Sequence, residues 1–149
     1  MTALNPRVCG LTNGLGSIAN FGSMRYKEAR RYIANAKQIL KEKAGKENGQ
    51  YTDRKYVKMA GNTAWSGVLE AVETWLKSKG IERPSRARPN IDWYTSQISK
   101  HNHKLNTHFV NAYEILHKYL GYDGTLKASI SKSGLEEAEA VIALCEKDT

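Results

Sequence analysis

The sequence predicts an all-α protein: an antiparallel four-helix bundle of four main helices, with room for a short extra turn. Three observations carry that expectation. Apolar residues recur at three- and four-residue spacing through most of the chain beyond residue 22. Gly45, Gly80 and Gly121 punctuate these runs where helices would stop. No segment shows a convincing strand pattern, and no repeat of solenoid length is visible.

Residues 1–22 stand apart, with four glycines, one charge and no helical period. They read as a flexible N-terminal tail, which leaves 23–149 as a single helical domain. Helix A is expected at about 24–43, where Tyr26, Ala29, Ile33, Ala36 and Leu40 form one apolar line. Residues 45–52 read as a polar turn, from which Thr52 or Asp53 can cap helix B at 53–79. Gly61 and Gly67 thin that helix. A glycine inside a helix costs about 1 kcal/mol against alanine. Two of them imply that another backbone or a bulky side chain comes close, with a ligand pocket as the rival explanation.

Residues 80–90 hold two prolines and three arginines and cannot be helical throughout. Asn90 or Asp92 then opens helix C. Ile91, Ile98, Leu105, Ala112 and Tyr119 recur every seven residues, and Tyr94, His101, His108 and Ile115 form a neighbouring series. With no Pro or Gly before Gly121, the run reads as one rod of about 45 Å. A connection at 121–132 leads to helix D at about 133–147. There Ser133 and Glu136 have capping-box spacing, and Leu135, Ala138, Val141, Ile142 and Cys145 face inward.

Bulk properties narrow the function classes. A chain of 149 residues can bury roughly 68–70% of its unfolded surface and needs no disulfide or metal to fold. Cys9 and Cys145 make neither a disulfide framework nor a zinc spacing, so a reducing cytoplasm is expected. No apolar run approaches the ~20 residues of a membrane span. The net charge of +8 is uneven: residues 1–104 hold 19 Lys/Arg against 8 Asp/Glu, whereas 105–149 hold 4 against 7. The basic part could attract phosphates, or could simply be a solvated helix surface.

No motif specifies a reaction. All four histidines lie on helix C, but none is three or four residues from another, as ligands to one zinc on a helix would be. His101 and His108 are expected at the seam edge, hydrogen-bonding across the bundle. Glu114-x-x-His117 is half of a di-iron motif without its second half. There is no nucleophile elbow, phosphate loop or dinucleotide fingerprint. No catalytic residue, cofactor or metal is therefore expected. The best binding candidate is the loop carrying Arg83, Arg86 and Arg88, extended by Lys77, Lys79, Lys100 and Lys104, with Trp93 and Tyr94 near enough to stack. The competing expectation is that these arginines pair with acidic helix D.

The stretches MRYKEARRYIANAKQILKEKAG and DRKYVKMAGNTAWSGVLEAVETWL resemble a bacterial family of small helical proteins with no assigned function, over Met24–Glu146. More distantly, the small-residue second helix and the terminal LEEAEAVIALCEK resemble HEPN (higher eukaryotes and prokaryotes nucleotide-binding) domains. That resemblance implies a compact bundle, a homodimer, and a nucleotide or RNA partner. Ribonucleases of that group carry Arg-x4–6-His. Here Arg88 precedes His101 by thirteen positions, with no arginine between, so no catalytic residue is carried over. The expectation is a dimeric interaction or binding module without its own catalytic centre. The alternative is a HEPN-type RNA or nucleotide binder, a ribonuclease or toxin–antitoxin component, using the basic loop.

Overall fold

The computed structural model describes residues 24–86 and 88–149, so the expected tail lies outside the described residues. The fold is mostly helical: α1 (Lys27–Glu42), a hairpin of β1 (Lys46–Glu47) and β2 (Gln50–Tyr51), α2 (Arg54–Ser78), α3 (Ile91–His101), α4 (His103–Ala112), a π-helical segment (Tyr113–Tyr122) and α5 (Ala128–Lys147). Helix α2 is the central element, packed by α1, the π segment and α5.

The 3-4 patterns act as expected in α1 and α2. Ala29, Ile33, Ala36 and Leu40 are buried on α1, and Val57, Ala60, Ala64, Val68, Ala71, Val72, Trp75 and Leu76 on α2. Asp53 caps α2 by accepting a hydrogen bond from the Lys55 amide at 3.1 Å. The two glycines serve close packing. A Cβ on Gly67 would lie 2.8 Å from Tyr32 Cβ and 2.9 Å from the Ala29 carbonyl oxygen, so α1 rests on this spot.

Three expectations need correction. The 45–52 turn contains a small antiparallel hairpin, with Lys46 opposite Tyr51 and Glu47 opposite Gln50. Its tip is Asn48-Gly49, both at positive φ (51° and 77°), a strong two-residue hairpin signal.

Helix C is not one rod. Asn102 is extended (φ −157°, ψ 98°), and its side chain accepts from the Leu105 amide at 2.9 Å. Asparagine is among the best N-caps, so it can end one helix and begin the next without Gly or Pro. The chain folds back there. In a straight rod Tyr94 and Phe109 would be about 22 Å apart along the axis, yet their ring centroids are 5.8 Å apart. The buried line becomes Tyr94, Ile98, Leu105, Phe109, Ala112, Leu116 and Leu120, while Tyr119 and His101, expected on the seam, are exposed.

Helix D starts at Ala128, so Ser133 and Glu136 lie inside it and form no capping box. Ser131, Gly134, Ala138, Val141, Ile142 and Cys145 continue one buried 3-4 line, and that continuity outweighs the local cap signal.

Candidate functional site

A cleft of about 1040 Å³ lies between α1, the hairpin and the start of α5. It falls in the usual size range for ligand sites or just above it. Lys37 and Lys41 of α1, Lys46 of β1, and Lys127 and Lys132 around the α5 N-terminus line it. Glu136 and Glu139 are its acidic members, and Glu139 pairs with Lys37. Five lysines against two glutamates leave the cleft positive. Lys41, Lys46, Lys127 and Lys132 take part in none of the ion pairs among the described residues.

Backbone hydrogen bonds join two of the segments that carry these lysines. The Tyr51 amide donates to the Leu126 carbonyl at 2.8 Å, and the Ala128 amide donates to the Gly49 carbonyl at 3.0 Å. Gln50 and Lys127 form an antiparallel bridge. The hairpin is thereby docked on the entry to α5. The α5 N-terminus, which carries the positive end of the helix dipole, has no side-chain cap. Tyr51 forms one wall, and burial pushes its hydroxyl pKa up from the ordinary value, so it stays protonated at neutral pH.

The arginine loop is assembled differently from the sequence expectation. Arg83 and Arg86 share a cleft of about 430 Å³ with Lys77 and Trp93, but Glu70, Glu73 and Glu82 line it too, and three cations meet three carboxylates. Arg83 sits 3.7 Å from Glu73. Its acidic partner is therefore on α2, not on helix D as one expectation held. Arg88 lines a separate cleft with Asn62, Trp65, Tyr113 and His117. Lys100 and Lys104 are exposed and line neither.

The histidines are dispersed. His108 Nδ1 lies 2.6 Å from Glu137 and ties α4 to α5, a cross-bundle bond of the kind expected at the seam. His101 instead sets its ring edge-on to Trp75, 6.1 Å away. His117 stacks on Tyr113 at 5.2 Å, and His103 is exposed. Among the described residues no group of three or more His, Cys, Asp or Glu is placed to hold a metal. Burial raises the Cys145 thiol pKa well above its ordinary value, which removes the thiolate a nucleophile needs. Among the described residues no helix is long and apolar enough to cross a membrane.

A mostly helical scaffold with basic and aromatic clefts defines a broad structural class. Within it, residues 24–147 match the family described as Domain of unknown function (DUF5618), and the chain belongs to that family. A solved structure of a protein of unknown function from Dyadobacter fermentans is similar, at 41% identity and a TM-score of 0.78, over 86% of this chain and 98% of that one. A search among curated proteins found no match.

Proposed function

We propose that this chain is a binding module for a phosphate-rich partner, with single-stranded RNA backbone as the ligand and the lysine cleft as its seat. One observation carries the reading: four lysines outside any described ion pair converge on one cleft from three separate segments. The basic surface foreseen for an RNA binder thus moves from the arginine loop to α1, the hairpin and the α5 N-terminus. We take the scaffold as a four-rod bundle whose third rod is folded at Asn102, working in the bacterial cytoplasm. The exposed Met59, Tyr119 and Tyr122 favour a homodimer. Light scattering tests that part, and a monomer at tens of micromolar overturns it.

Fluorescence anisotropy with a labelled single-stranded RNA tests the ligand. Binding should weaken steeply with salt. Replacing Lys41, Lys127 and Lys132 together by Ala should lower the slope of log K against log salt by about 2. Replacing Arg83 and Arg86 should change it little, because glutamates already neutralise them. No binding at low salt, or an unchanged slope in the lysine variant, overturns the proposal.

A further inference from the structure

The fold-back at Asn102 has built a third, chemically different cleft of about 470 Å³ between α2, the start of α3 and the π segment. Its walls are rings. Trp65 lies 5.5 Å from Tyr113 and 6.0 Å from His117, measured between centroids, and Tyr113 and His117 are stacked at an interplanar angle of 24°. Tyr94 closes the α3 side. Two of these rings, Tyr113 and His117, stand on the π segment, a rare helical form that recurs at functional sites. Arg88 stands at the rim just before Pro89, and it takes part in none of the ion pairs among the described residues. No acidic side chain lines this cleft, in contrast to its neighbour holding Arg83 and Arg86.

We propose that this cleft binds a planar aromatic monoanion, its ring against Trp65, Tyr113 and His117 and its negative group on Arg88. Flat π-faces attract flat ligands without demanding one ring system. A guanidinium forks onto a carboxylate or phosphate edge. Cleft volume and chemistry together favour a small molecule over a peptide, because 470 Å³ is a drug-sized space. This site is independent of the lysine cleft, and either can fail alone.

The test uses the full chain, ¹⁵N-labelled, titrated with 2-naphthoate and followed at the Trp65 indole N–H. The Trp65 signal should shift and saturate. The neutral 2-naphthylmethanol should bind about tenfold more weakly, and cyclohexanecarboxylate, which has charge without a flat ring, should bind as poorly or worse. Arg88→Gln should bring naphthoate down to the level of the alcohol and leave the alcohol unchanged. Trp65→Leu, followed instead at the Tyr113 and His117 backbone amides, should abolish binding. If that variant does not fold, His117→Ala, at an exposed position, should weaken both aromatic probes several-fold. No shift at millimolar naphthoate, equal affinity for acid and alcohol, or binding that survives the ring variants overturns the proposal.

Discussion

Gly61 lies directly under Leu120 and Gly121: a Cβ placed on it would be 2.5 Å from Leu120 Cβ and 2.7 Å from the Gly121 amide nitrogen. The π segment is seated on α2 at a spot where α2 has no side chain. Gly61→Ala sets two effects against each other. Alanine improves helix propensity by about 1 kcal/mol, while overpacking against backbone costs typically 1–3 kcal/mol. The obstacle is mostly main chain, which cannot swing aside, so the clash should win. Urea denaturation should show a net loss of about 1–2 kcal/mol, and a stabilised variant would show that the two elements can separate freely.

Asn102→Ala removes the acceptor for the Leu105 amide and favours a straight helix through the fold-back. The expected loss is about 1 kcal/mol in a thermal or urea melt. Asn102→Asp, which keeps the cap acceptor, should stay near the parent. Equal stability of the alanine variant and the parent would mean that Tyr94 packing alone sets the bend.

At the C-terminal end, Trp75 Nε1 donates to Asp148 at 3.0 Å, and Lys79 lies 3.2 Å from the same carboxylate. The Trp75 hydrogen bond first, and then Lys79, holds the Asp148 carboxyl below its ordinary pKa. A lowered folded-state pKa stabilises the fold above the unfolded value, and the gain disappears as pH falls through the lowered one. The group is well exposed, so the effect is modest. Asp148→Ala should melt below the parent near neutral pH, and the two curves should draw together as pH falls through and below the ordinary carboxylate range. A constant gap across that range would assign the difference to packing.

Ser131 is fully buried in α5, and its hydroxyl has no hydrogen-bond partner in the described structure. An unsatisfied buried hydroxyl is costly, and serine is a poorer helix former than alanine. Ser131→Ala should therefore raise stability by about 1 kcal/mol in denaturant melts. A destabilised variant would point to a water or ligand bound at that hydroxyl.

Regular periodicity made α1 and α2 legible, because each buries one unbroken stripe. Asp53 and Asn90 were each legible as one of two cap candidates, beside Thr52 and Asp92, because a short acceptor sits just before an apolar run; the hydrogen bonds select them. The bend was hidden because Asn102 looks like an ordinary polar surface residue, and only tertiary packing of Tyr94 on Phe109 selects its capping role. The lysine cleft was hidden by averaging. Lys127 and Lys132 belong to the acidic third of the chain, yet hairpin docking sets them beside Lys37 and Lys41. Spacing along the chain could place Arg83, Arg86 and Arg88 close together, but it could not show that they enter different clefts.

The extended residue between α3 and α4 acts as an elbow, and the ring-lined cleft lies far from it, where the start of α3 meets the π segment and α2. The direction in which α3 runs from that joint is set by two torsions of one residue, φ −157° and ψ 98° of Asn102. Any change in those torsions would be magnified along the 11-residue forearm of α3, at whose far end Tyr94 and the neighbouring Arg88 stand. A substitution at the joint is therefore expected to be felt at the ring-lined cleft, a full helix away.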